Sequence, residues 1–108
     1  MGAEKAKPDV FQAVADPTRR SMLKMLGGKE MSIASISSHF PISRTAVAKH
    51  LRILSEAGLV SERKSGRETL FTLQPEPLTE LQKWLQFFEL YWENKVSALK
   101  RFVEEEND

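Results

Sequence analysis

The spacing of apolar residues changes twice along this chain, and that change limits the fold more than any other feature. In three segments up to Leu54 they recur in steps of 3 and 4, the interval that lines one face of an α-helix. Between Leu59 and Leu73 that period is lost, and Thr69, Leu70, Phe71 and Thr72 bring strand propensity. From Leu78 the helical step resumes and runs almost to the end. The pattern predicts a mainly α chain with one small β-hairpin.

Punctuation divides the segments. A short helix can begin near Pro8 and run over residues 9–15, with Phe11 and Val14 as its apolar points. Asp16 then caps a second helix. Pro17 suits its first position, where a missing N–H costs nothing. Leu23 and Leu26, flanked by Met22 and Met25, form its buried stripe, and Gly27 and Gly28 end it. Ser32 caps a third helix with Ile33, Ile36 and Phe40 on one side, and Pro41 stops it. Ser43 caps a fourth, predicted over 44–57, which turns Val47, Leu51 and Leu54 inward and ends on Gly58.

Strands are predicted over 59–64 and 68–73 around Ser65, Gly66 and Arg67. Beyond Pro75 and Pro77, a helix of about 28 residues would be about 40 Å long. One face carries Leu78, Leu81, Leu85, Phe88, Trp92, Val96, Leu99 and Val103, and Trp84, Phe87 and Tyr91 add an aromatic strip beside it. Residues 1–7 are expected to be a flexible tail. Residues 8–108 are expected to form one domain that includes the last helix, about 77–105.

With 108 residues, one small domain is expected. The absence of cysteine removes disulfides, thiolate metal sites, iron–sulfur clusters and cysteine nucleophiles, and it suits a reducing compartment. No apolar run approaches the ~20 residues of a membrane span, and the N-terminus does not read as a secretory signal, so a cytoplasmic protein with no membrane partner is expected. His39 and His50 fall on different helices with no carboxylate at ligand spacing, so no metal and no cofactor are expected. A glycine-rich phosphate loop and a Ser/His/Asp set with recognisable context are both missing, which argues against an enzyme.

Charge is divided unevenly. Up to Pro75 the chain carries 12 Lys/Arg against 7 Asp/Glu, and from Glu76 onward 4 against 8. A basic front and an acidic rear point to separate tasks.

Two short helices, a tight turn and a two-stranded ribbon make a winged helix-turn-helix. The second helix of such a unit fits the major groove of double-stranded DNA. Its exposed N-terminal face offers Arg44, Thr45, Ala48 and Lys49. Arg44 opposes the helix dipole there, a small misfit that an anion or a guanine edge would relieve. Ser43 can cap the helix and also touch a phosphate, and Arg52 is placed to reach the DNA backbone. His50 is open between two roles, a phosphate contact and a histidine bridging core and surface. Arg63, Lys64 and Arg67 cluster around the hairpin turn, where cations either press on a phosphate or minor groove or protect an edge strand.

The last helix argues for a homodimer. Trp84, Phe87, Phe88, Tyr91, Trp92 and Phe102 are too many rings for a short chain to hide alone. Full burial of each is worth about 2–3 kcal/mol, and pairing across a two-fold axis would cover them.

Three stretches together resemble the ArsR family of winged-helix repressors: Phe11-Gln-Ala-Val-Ala-Asp-Pro-Thr-Arg-Arg20, Ile42-Ser-Arg-Thr-Ala-Val-Ala-Lys-His-Leu51 and Ala57-Gly-Leu-Val60. The resemblance runs from about Pro8 to about Val103. It implies a homodimer that represses transcription from an operator with imperfect two-fold symmetry. It also implies an interface joining the first and last helices, here Phe11 and the Leu78–Val103 stripe. Metal-sensing members carry a Cys-x-Cys motif in the helix that here contains Ile33–His39, or Asp/His ligands in the last helix. Both are missing, so the resemblance is to the branch without a metal site, with an aromatic stretch such as Trp84–Trp92. Ala48 stands where a serine is common, which removes one candidate contact.

A sequence-specific, homodimeric DNA-binding repressor with an inverted-repeat operator is therefore the leading expectation. Two others stand beside it. One is a winged-helix module that binds protein. The other is a repressor answering to an unidentified small-molecule effector held near the aromatic last helix.

Overall fold

The structure is a computed structural model that describes residues 6–106, excluding the side chains of residues 94–98 and 106. Five helices and three strands follow one another as α1 (Val10–Ala13), α2 (Pro17–Met25), β1 (Met31–Ser32), α3 (Ile33–Ser37), α4 (Arg44–Glu56), β2 (Val60–Ser65), β3 (Glu68–Leu73) and α5 (Thr79–Glu106). A 3₁₀ turn, Glu76–Leu78, precedes α5. The chain divides into two compact units between Leu78 and Thr79. Residues 1–5 of the expected tail lie outside the described residues.

In the first unit every helix start that the sequence marks is capped by a side-chain oxygen. Asp9 and Gln12 form a reciprocal capping box on α1. Asp16 accepts the Arg19 N–H at 3.0 Å, Ser32 that of Ser35 at 3.1 Å and Ser43 that of Ala46 at 3.1 Å. Each bond satisfies one of the N–H groups that a helix start leaves orphaned.

The helices close over Met22, Leu26, Ile36, Val47, Leu51, Leu54 and Leu59, all less than 2% exposed. The stripes on α2 and α4 lie where the spacing put them. In α1, however, Val10 and Ala13 are buried while Phe11 is 38% exposed. With only four residues, the helix can turn just one such pair inward. Helix α3 ends at Ser37, so half-buried Phe40 follows it rather than belonging to it.

Helix α4 ends in a Schellman turn. Gly58, at φ +78°, donates to Ser55, and Leu59 donates back to Leu54 at 2.9 Å. This turn explains why β2 starts at Val60 and not at Leu59. The Leu59 N–H is spent on the cap, and its carbonyl accepts from Gln74 at 2.7 Å.

Strands β2 and β3 pair antiparallel from Val60–Leu73 to Ser65–Glu68. Gly66 at φ +64° opens the two-residue turn between them, as a type II′ hairpin requires. The expected hairpin gains a third strand. Met31 and Ser32 pair with Phe71 and Leu70, giving the order β1-β3-β2. Two residues are too few to show an alternating pattern in sequence.

The second unit is α5, 28 residues long. Along it Trp84 meets Phe88 edge-to-face at 5.1 Å, Phe87 meets Phe88 likewise, and Phe87 and Phe88 both tilt against Tyr91. No helix among the described residues is long and apolar enough to cross a membrane.

The Arg19 N–H holds the Asp16 carboxyl below its ordinary value. Burial partly opposes this, and the neighbouring His50 and Arg19 add to it. A carboxyl lowered on folding stabilises the fold above its unfolded pKa, and that contribution disappears as pH falls through the folded one. Asp16→Ala should therefore cost about 1 kcal/mol at pH 7. It should also flatten the fall in stability below about pH 4. Denaturant unfolding at stepped pH reads both.

Candidate nucleic-acid interface

At 100° per residue the buried stripe of α4 leaves Thr45, Ala48, Lys49 and Arg52 within one arc of about 100° on the other side. Thr45, Lys49 and Arg52 are exposed, Ala48 is half-buried, and Ser43 and Arg44 stand exposed at the helix start. Among the described residues no ion pair holds Arg44, Lys49 or Arg52. The N-terminal N–H groups of α4 add positive potential beside them. Arg52 also borders a groove of about 330 Å³ lined by Ala48, Leu51, Glu62 and Phe71, among others.

His50 lies on the flank of the buried stripe. Its side chain is 24% exposed. Its Nδ1 is 3.3 Å from an Arg19 guanidinium nitrogen and 4.0 Å from the Asp16 carboxylate. A guanidinium can only donate, so Nδ1 is the acceptor and the ring proton belongs on Nε2. Of the two roles open to His50, this geometry favours the bridge between core and surface.

The three wing cations differ. Lys64 and Arg67 are exposed beside the turn, with no ion pair among the described residues. Arg63 is held by Glu30 through two parallel bonds of 2.8 and 2.7 Å, and Thr72 donates to the same carboxylate at 3.1 Å. The Arg63 hydrogen bonds are the main cause that lowers the Glu30 pKa, and the same pairing raises that of Arg63. Glu30 precedes β1 and reaches over β3 to β2, so it ties the three strands together.

Sequence reasoning passed over Glu30, whose partner is 33 residues away and leaves no local signal. It also passed over Arg19 and Arg20. Arg19 donates from Nε to Ala13 at 2.7 Å and from Nη2 to Gln12 at 3.1 Å, and Arg20 donates to Val14 at 2.7 Å and Ala15 at 3.2 Å. These carbonyls lie at the end of α1 and just beyond it, where backbone acceptors lack helical donors.

On α5, Leu85, Trp92, Leu99 and Val103 are exposed, as are Trp84, Phe87, Leu90, Tyr91 and Phe102. Leu78, Leu81 and Phe88 are half-buried. The Val96 side chain lies outside the described residues. Among the described residues no cluster of His, Asp or Glu could hold a metal ion.

Residues 14–63 match a helix-turn-helix domain family. Over 80 residues the chain is 35% identical to the transcriptional repressor SdpR of Bacillus subtilis, covering 74% of this chain and 89% of that one. It is 29% identical over 108 residues to the HTH-type transcriptional regulator Rv2034 of Mycobacterium tuberculosis, covering 100% and 98% of the two chains. An ArsR-like transcriptional regulator from Rhodococcus sp. RHA1 superposes with a TM-score of 0.69 at 34% identity, covering 89% of this chain and 88% of that one. The chain belongs to the ArsR family of winged-helix transcriptional regulators. As an ArsR-family protein it is a DNA-binding regulator and not an enzyme.

The Glu30 pairing links the residue before β1 to side chains on β2 and β3 of this ArsR-family fold. Glu30→Ala should speed amide exchange across Ser61–Thr72 and leave α2 unchanged, by exchange mass spectrometry. Equal protection in both proteins would show that the pair contributes nothing.

Proposed function

We propose that the protein is a homodimeric transcriptional repressor that binds an inverted-repeat operator, acts in the cytoplasm and needs no metal to recognise DNA. One observation carries this reading. The start of α4 presents Ser43, Arg44 and Thr45 to solvent on a helix whose other side is fully buried. Arg44, Thr45 and Lys49 approach base edges. Ser43, Arg52, Lys64 and Arg67 hold the phosphates, whose contacts set register but carry no sequence information directly.

His50 and Arg63 were grouped with these contacts on sequence. His50 Nδ1 faces Arg19, and Arg63 Nε and Nη2 hold Glu30, so in this reading both residues brace α4 and the wing.

The exposed rings of α5 support pairing with a second copy, because a patch of this kind on a small protein marks an interface. Phe11 and the described members of the Leu78–Val103 face supply it. The repressor function named for SdpR supports the sign of regulation. A metal-free mode is supported by the donors themselves: there is no cysteine, His39 Nδ1 is 2.9 Å from the Ser35 carbonyl, and His50 faces Arg19.

Arg44→Ala should cost about 1–3 kcal/mol on the sequence enriched from random duplex DNA and much less on random DNA. Lys64→Ala should weaken both alike and lower the slope of log K against log salt by about one. Equal loss on both DNAs for Arg44→Ala would make that residue a phosphate contact only. Trp92→Asp should halve the mass seen by sedimentation and weaken operator binding. A variant that still pairs would remove α5 from the interface.

A further inference from the structure

We propose that Arg19 is a positioning residue for DNA recognition, acting through His50 to fix the rotation of α4 about its own axis. This rests on the reading that the start of α4 meets DNA.

Arg19 touches none of the proposed contact residues. Its guanidinium spends Nε and Nη2 on the Ala13 and Gln12 carbonyls and directs Nη1 at His50 Nδ1, 3.3 Å away. The guanidinium is planar, so the two carbonyl bonds fix where its third nitrogen points. Its own N–H is held at 3.0 Å by Asp16, so both ends of the residue are fixed. His50 is the receiving point on α4, one helix of 13 residues that also carries Arg44 and Thr45.

The apolar stripe keeps α4 against the core but resists rotation only as far as packing allows. A directional bond on the flank of the stripe adds resistance to rotation. Turning a helix by about 10° moves atoms at its side-chain surface, about 5–6 Å from the axis, by about 1 Å. That displacement is enough to lose hydrogen-bond geometry to a base edge. Phosphate contacts made by long, mobile side chains tolerate it. Loss of the link should therefore lower discrimination between sequences more than total affinity. Its other end is anchored on α1, which carries Phe11, so the orientation of α4 is referenced to the segment proposed to face the second copy.

The test measures binding of the full-length protein to its selected duplex and to random duplex across a salt series. The chains compared are wild type, Arg19→Ala, His50→Ala, the double variant and His50→Asn. Asn offers an oxygen near the place of Nδ1. Each alanine change should lower the preference for the selected duplex by about tenfold, the scale of one lost hydrogen bond. The double variant should lose no more than the worse single one, the salt slopes should stay unchanged, and His50→Asn should recover most of the preference. Thermal unfolding identifies any variant that has lost its fold. The His50 pair of variants alone keeps the proposal testable if Arg19→Ala does.

Losses that multiply in the double variant, a salt slope lower by about one, or an unchanged preference in His50→Ala would overturn the proposal and leave the DNA-reading function standing. A wild type with no preference for any duplex would overturn both.

Discussion

Helix α4 can present a polar, cationic edge only because its other face is locked. Val47, Leu51 and Leu54 are at most 1% exposed. Truncating residues of this kind to alanine costs about 2–5 kcal/mol when they are Leu, Ile or Met. That burial fixes which way Thr45, Lys49 and Arg52 face. It also fixes the end of the helix, because Leu59 must follow Leu54 into the core. The Gly58 turn that achieves this sends the chain directly into β2. The recognition helix and the wing are thus placed by one continuous piece of packing.

Around that packing the charges fall into two groups. Arg19, Arg20 and Arg63 have partners within the first unit, on carbonyls around the end of α1 and on Glu30. Arg44, Lys49, Arg52, Lys64 and Arg67 have no ion-pair partner among the described residues. A net charge of +1 for the whole chain conceals this division. It is the second group that suits a polyanion, since each cation placed on a phosphate releases counterions and steepens the salt dependence.

Much of this was legible in sequence because it is written locally. Asp16 before Pro17, and Ser43 before Arg44, mark helix starts within four residues. The steps from Val47 to Leu54 mark a buried face, and Gly66 marks a turn. What was hidden depends on distant partners. Strand β1 exists only because Met31 and Ser32 meet Phe71 and Leu70. Nothing near Arg63 in the sequence announces its Glu30 partner. His50 stayed undecided because its place on the flank of a helix becomes informative only when α2 is seen beside it. The last helix shows the complementary case. Its spacing marks its length and faces, but spacing does not encode what its exposed rings meet.

The lack of native cysteine makes the central claim open to a direct measurement. A Thr45→Cys variant labelled with an iron chelate will cleave DNA only where the start of α4 lies. On the selected duplex, the account requires two cleavage clusters related by a two-fold axis and centred about 34–36 Å apart, or a multiple of that distance. Cleavage spread evenly along the duplex, a single unrepeated cluster, or none at all on DNA that is demonstrably bound would contradict it.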